Sequence, residues 1–374
     1  PASASNSRAI IQSYNTWRPF TSIKESGLRV VNIENQELTY EKKHELNIGA
    51  EIGFLNNRIN LAVDWYKRNN YDLIGIVNTQ GAGGQILKYA NIASMKSHGI
   101  EFTLSTKNIK TKDFNWNTDF IFSNAKNEVT DLKQNANVME LISGNGFAKQ
   151  GYPVRGLFSI PFVGLDKDGI PVIINEKGEA TSTDINFQER QNTGFLKYEG
   201  PTDPTITGSL GNMFSYKGFR LNLFITYSFG NVIRLNPVFK AYYSDLTAMT
   251  REFKNRWTLP GDEAKTNVPA ILSKRMYDSN EDLKYAYNAY NYSTERIAKG
   301  DFIRLKEISL AYDFPKAWIN PLKLTDLSLK VQATNLFLIY ADDKLNGQDP
   351  EFFNAGGVAS PVPRQFTITL RLGL

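Results

Sequence analysis

The sequence predicts an all-β protein, a transmembrane antiparallel β-barrel, and three observations carry that expectation. From Arg364 to Leu374 the residues alternate without a break: Phe366, Ile368, Leu370, Leu372 and Leu374 share one side, and Gln365, Thr367, Thr369, Arg371 and Gly373 the other. Side chains of a strand alternate faces with period two, so one face is apolar and the other polar over the ~9–11 residues a tilted strand needs to cross a bilayer. Eight earlier segments alternate in the same way, joined in pairs by short turns and separated by long connections. Finally, the chain has no apolar run of the ~18 residues a membrane helix needs, yet it is rich in aromatics, with 18 Tyr, 23 Phe and 5 Trp. Barrels escape hydropathy scans because only alternate residues meet lipid, and they gather aromatic residues at both interfaces.

The segments follow in order. Leu46, Ile48, Ala50, Ile52 and Phe54 form one apolar row; after Leu55-Asn56-Asn57, Ile59, Leu61, Val63 and Trp65 form the next, a hairpin signal. The second pair is Ile100, Phe102, Leu104 with Phe114, Trp116, Phe120, Phe122, joined through Lys107 to Lys112. The third is Ile206, Leu210, Phe214, Tyr216 with Phe219, Leu221, Leu223, Ile225, Tyr227, Phe229, turning at Lys217-Gly218. The fourth is Ile308, Leu310, Tyr312, Phe314 with Leu327, Leu329, Val331, Ala333, joined through Pro315 to Thr325. Between pairs the chain runs without a period through residues 69–98, 126–203, 231–299 and 338–363. Compact soluble domains rarely hold unstructured connections longer than ~12–15 residues. Long loops alternating with short turns are the asymmetry of an outer-membrane barrel, loops outside and turns in the periplasm.

Nine strands are an odd number, and an open edge in lipid would leave backbone groups unpaired, so the chain is expected to be part of a larger barrel. The upgoing partner of the first strand is expected within or before residues 1–40, where Ala9 to Tyr14 is the one strand-like stretch. Pro1-Ala-Ser-Ala-Ser has neither a charged nor an apolar signal-peptide region, so something is expected to precede it.

Composition narrows the functions. A mean hydropathy of -0.37 fits an ordinary soluble protein as well as a barrel. The balance of 43 basic against 38 acidic residues lacks a basic cluster set in a recognition motif, which argues against nucleic acid as a partner. With no cysteine there is no disulfide, thiolate metal site or cysteine nucleophile. His44 and His98 are far apart with no second histidine at ligand spacing, and no Ser, His and acid set stands out, so neither a metal nor catalysis is expected. Asp166-Lys167-Asp168-Gly169 starts like a calcium loop, but the later ligand positions fail, and an Asp-Gly turn is the better reading. Gly81-Ala82-Gly83-Gly84 is read as a loop tip, since no helix pattern follows to make a phosphate cradle.

Several stretches carry a resemblance. They are Asn56 to Asn60 continuing to Asp64-Trp65-Tyr66; Gly99-Ile100-Glu101-Phe102; Phe114-Asn115-Trp116-Asn117; Tyr216-Lys217-Gly218-Phe219; and Arg256-Trp257-Thr258. Further on come Gly300-Asp301-Phe302-Ile303-Arg304-Leu305-Lys306, Thr334-Asn335-Leu336-Phe337, Gly347-Gln348-Asp349-Pro350-Glu351 and Pro363-Arg364. In this order they resemble the C-terminal barrel portion of the SusC/RagA family of TonB-dependent outer-membrane transporters of the Bacteroidetes. The chain departs from the pattern in ending Gly373-Leu374 rather than on an aromatic residue, and it holds no counterpart of the N-terminal plug.

The resemblance implies a barrel of ~22 strands with a plugged lumen, this chain supplying roughly the last 9–10. It implies import of oligomeric nutrients, glycan oligosaccharides or peptides, with a SusD-like surface lipoprotein as cap. Energy would come from the TonB-ExbB-ExbD complex through the N-terminal part, and a dimer of transporter–lipoprotein pairs is compatible with it. No cofactor is implied. For substrate contact the aromatic and acidic loop clusters are the candidates: Tyr242, Tyr243, Trp257, Asp262, Asp349, Glu351 and Phe352, together with Tyr287 to Tyr292. Inward polar residues Arg220, Asn222, Arg304, Lys306 and Arg371 would line the path. Two other classes fit the strand pattern, a passive porin and a soluble β-rich adhesin or glycan-binding protein.

Overall fold

A computed structural model describes residues 10–17, 24–32, 35, 37–78, 81, 87–143, 148–239, 249–353 and 363–374. Nine strands form one antiparallel sheet in which each pairs with its neighbours in sequence. They are β1 (Lys42–Phe54), β2 (Ile59–Asn78), β3 (Leu87–Lys110), β4 (Phe114–Leu132), β5 (Ile206–Tyr216), β6 (Phe219–Phe229), β7 (Phe302–Asp313), β8 (Asp326–Ala341) and β9 (Gln365–Gly373). These are the nine segments the alternation marks. Register is set so that like faces meet: along β5 and β6, Leu210 lies opposite Ile225, Phe214 opposite Leu221 and Tyr216 opposite Phe219. A slip of one residue would send every apolar side chain to the polar face.

The short turns have the backbone that hairpins need. Lys217 and Gly218 both take positive φ, 44° and 92°, as a two-residue turn matched to the strand twist requires. Leu55, Asn56 and Asn57 all lie in the left-handed region, where the two asparagines are tolerated.

The outward row is not packed on protein. Phe366 and Ile368 are 72% and 73% exposed, whereas the buried apolar clusters are all built from residues of the long connections and strand ends at their level. A soluble sandwich would cover this face with a second sheet, and among the described residues none lies on it. No described helix is long and apolar enough to cross a membrane, which says nothing of strands. The sheet is barrel wall, its apolar row facing lipid.

Three expectations change. The connection at 69–98 is largely strand, since β2 runs for 20 residues and β3 for 24, whereas β8 takes only residues 338–341 of the one at 338–363. Those at 126–203 and 231–299 carry small elements around cores of their own: Val138, Leu141, Ile142, Phe158, Ile160 and Ile173 form one of them. The partner expected for β1 within or before residues 1–40 is not among the described residues of that stretch: Ile10–Trp17 and Lys24–Asn32 form a separate two-stranded hairpin, and β1 is an edge of the described sheet.

Candidate functional site

Two of the motif stretches meet at the loop end of the wall's inner face. Arg304 on β7 points inward and is 4% exposed. Its Nη2 donates to both carboxylate oxygens of Asp349, at 2.5 and 2.6 Å, and lies 3.3 Å from Glu351 Oε2. Asp349 Oδ1 also accepts the Glu351 N–H at 3.1 Å, capping the single turn Pro350–Phe352. The guanidinium thus clamps that turn to the wall. Asp301 does the same for the previous loop, accepting the Gly230 N–H at 2.7 Å.

Lys306 reaches the same face through a bulge. Glu307 pairs with Phe224 and Leu305 with Ile225, so Lys306 is the extra residue between them. An extra residue re-aims the side chains beyond it, and this turns Arg304 and Lys306 inward although strict alternation from Ile308 would send both to lipid.

Beside the clamp a cleft of about 630 Å³ opens on the inner face, lined among others by Arg155, Thr202, Thr226, Ser228, Lys306 and Glu351. Arg155 is paired with Asp203 at 2.9 Å. Hydroxyls, two cations and a carboxylate around one opening suit a polar, extended ligand held by many hydrogen bonds. Among the described residues no group of three or more His, Cys, Asp or Glu is placed to hold a metal ion. His44 stands edge-on to Tyr71, and His98 sits in the ladder opposite Lys67 and Lys126.

Asp349, Glu351 and Phe352 therefore share one turn at this cleft, while Trp257 and Asp262 belong to a different structure. Trp257 covers the Asp166–Gly169 turn so closely that a Cβ on Gly169 would come within 2.5 Å of the indole. That turn is the Asp-Gly turn expected, with Asp166 Oδ1 accepting the N–H groups of Asp168 and Ile170, each at 2.9 Å. Trp257 Nε1 donates to Glu263 at 2.9 Å, and this bond holds the Glu263 carboxyl below its ordinary range. Asp262 accepts from Leu259 N, Thr258 Oγ1 and Thr258 N, and those bonds lower its pKa as well. Tyr242 and Tyr243 lie outside the described residues.

The Tyr287 to Tyr292 cluster is corrected. Tyr287 and Tyr290 are 1% and 0% exposed, on the face of helix Leu283–Asn291 that also buries Leu283 and Ala286. These rings hold loops together. Two arginines, Arg296 buried and Arg234 half-buried, serve the same end. Arg296 pairs with Glu252 at 2.5 Å and donates to the Asn236 carbonyl. Arg234 donates to the Phe158 and Ser293 carbonyls, and burial pushes its guanidinium down to about 10, still charged at neutral pH. Nothing in the local sequence marks them, because their partners come from other loops.

No protein-family profile matches the sequence. TonB-dependent receptors do. P3 of Formosa agariphila is 25% identical over 368 residues, 91% of this chain and 34% of the relative. SusC of Bacteroides thetaiotaomicron is 26% identical over 364 residues, 91% of this chain and 32% of the relative. The RagAB peptide transporter structure superposes with a TM-score of 0.72 at 23% identity, covering 98% of this chain and 38% of that one. In sequence the chain is similar to these receptors, SusC among them, and it shares the fold of the RagAB transporter. It is a stretch of outer-membrane β-barrel, and its relatives are receptors and transporters, not enzymes. The chain spans about a third of the length of the curated relatives it matches.

Proposed function

We propose that this chain is the C-terminal part of a TonB-energised importer of oligomeric nutrients, with a plug domain and the earlier strands preceding it. A SusD-like surface lipoprotein would cap the loop end, and the TonB-ExbB-ExbD complex would act through the plug. The observation that carries this reading is the inner-face cleft at the base of the long loops, where Lys306, Arg155 and Glu351 stand among hydroxyls. A polar surface on the lumen side of the wall lies on the path of anything that enters between the loops. Support also comes from the kinship with SusC and from the fold shared with the RagAB peptide transporter.

Peptide is the substrate class we favour over glycan. Lys306 and Glu351 give the cleft both signs of charge, as a zwitterionic chain with carboxylates and amines would use, and aromatic faces for stacking sugar rings are few along it.

The test is extraction of the native, full-length protein in mild detergent, followed by intact mass, identification of what travels with it, and mass analysis of the small molecules released on denaturation. A chain well above 42.2 kDa bound to a lipoprotein, with peptides released, is the expected result. A lone 42.2 kDa chain would end the importer reading. High conductance of the intact protein in a planar bilayer would point to a passive porin.

A further inference from the structure

The short-turn end of the wall carries a feature that transport does not call for. Five aromatic rings run side by side across three adjacent strands and the turn that follows. Tyr216 lies opposite Phe219, whose ring centroid is 4.3 Å from that of Tyr312; Tyr312 is 4.9 Å from Phe314, and Phe314 is 6.3 Å from Trp318. All belong to the lipid-facing row or continue it, and Tyr216, Phe219 and Trp318 are exposed.

Lysines stand along the same edge. The Lys217 Nζ folds back to 5.3 Å from the centre of the Tyr216 ring, which puts the charge on the lipid side of the wall. Lys316, two residues before Trp318, donates to the Thr325 carbonyl at 3.3 Å, and Lys323 is exposed at a left-handed position, φ 58°, in the same connection. The two turns touch, since Asp313 N donates to the Gly218 carbonyl at 2.9 Å.

The nearby acids are turned away or answered. Asp313 pairs with Arg220 at 2.9 Å on the inner face. Asp326 precedes outward Leu327 and so takes the inner side. Asp113, whose carbonyl accepts the Lys217 N–H, has Lys112 beside it. On the lipid side the edge is therefore aromatic at hydrocarbon depth and cationic just beyond it.

We propose that this edge binds the phosphate headgroups of anionic phospholipid in the periplasmic leaflet, with Lys217, Lys316 and Lys323 as the cations and Trp318 seated at the headgroup level. Amphipathic rings settle at that depth, and lysines next to them lie within a Debye length of the headgroup phosphates. A single phospholipid offers what the edge is built for, an acyl chain against the rings and an anionic group against the ammoniums. Trp318 is exposed on a one-turn helix whose other large apolar residue, Ile319, is buried, so the helix places the indole outward rather than packing it.

The experiment uses the full-length protein, reconstituted in nanodiscs of phosphatidylcholine alone or with phosphatidylglycerol, and reads lipid retained on release into detergent by native mass spectrometry. Wild type should retain phosphatidylglycerol in preference to phosphatidylcholine, with the preference falling as salt rises. The triple variant K217Q/K316Q/K323Q should retain it roughly a hundredfold more weakly, about fivefold per lysine, and K217R/K316R/K323R should restore it. A matched triple at the loop end, K167Q/K177Q/K254Q, should leave retention unchanged. Separately, brominated phosphatidylglycerol should quench more fluorescence in wild type than in W318F. Equal retention by the glutamine triple and wild type would overturn the proposal. So would displacement of the lipid by inorganic phosphate at the same concentration, which would mean that the lysines hold any phosphate and not a membrane lipid.

Discussion

Arg304 and Asp349 form a buried clamp, two contacts of 2.5 and 2.6 Å between a wall strand and a loop turn 45 residues further on. The side chains are 5% and 10% exposed, so neither charge has water to fall back on. Removing Asp349 leaves the buried Arg304 with only the more exposed Glu351 carboxylate at 3.3 Å, so the cost should approach but not reach the ~3–5 kcal/mol of a fully uncompensated buried charge. Asp349→Ala should release the turn Pro350–Phe352 and open residues 342–353 to proteases while the wall stays folded. D349A/R304M, which removes both charges, should recover much of the loss. The measurement is the rate of cleavage in that loop beside the heat-modifiability of the barrel on a gel.

Gly169 supplies a second test. It takes φ +75°, where a side chain costs ~1–2 kcal/mol, and Trp257 occupies the space a Cβ would need. Gly178 takes φ +81° with nothing within 4 Å. Gly169→Ala should therefore loosen the loop assembly more than Gly178→Ala, by the strain of displacing the indole. Tryptophan emission and loop proteolysis of the two variants compare them directly.

What the sequence made legible was the part of the chain that meets lipid. Alternation marked all nine wall strands because the bilayer demands an apolar residue at every second position. It failed where strands leave the membrane: around Arg68, Asn69 and Asn70 of β2 both faces are polar, yet the ladder continues, Asn70 pairing with Lys43 and Met95. Backbone pairing does not need the pattern. The loop cores were illegible for another reason. Their contacts join distant segments, as when Thr294 Oγ1 accepts the Phe162 N–H, so no local period reports them. The site was half visible: Arg304, Asp349 and Glu351 all lie in motif stretches, but that the two stretches touch is a fact of topology.

The acid-sensitive part of the loops should be the Trp257 turn. Glu263 and Asp262 both titrate below their ordinary values in the folded state. Between the folded and unfolded values the unfolded chain binds more protons, so stability rises with pH there. The contribution is complete above the unfolded values, ~3.9 for Asp and ~4.3 for Glu, and is lost as pH falls through the folded ones. Tryptophan emission followed down a pH titration should change in that acid range. In Trp257→Phe the largest cause of the Glu263 shift is gone, and its carboxyl, followed by NMR, should titrate closer to the ordinary value.

The faces of β9 can be tested by two adjacent substitutions. Leu370 lies opposite Leu329 on the apolar row, and Thr369 lies opposite Lys330 on the inner one. Leu370→Arg would put a charge in hydrocarbon, at ~2–4 kcal/mol near mid-bilayer. Thr369→Arg stays in the polar interior, and its cost comes from facing Lys330, a like-charge cross-strand pair worth ~0.2–1 kcal/mol. Reversible unfolding of the full-length protein from lipid bilayers should therefore separate the two, with Leu370→Arg the more damaging. Salt should shrink the Thr369→Arg penalty, because it is Coulombic and wetted, and should leave the Leu370→Arg penalty where it was, because desolvation by lipid does not depend on ionic strength. Equal penalties, or salt relief at both positions, would mean that β9 does not present its apolar row to the bilayer.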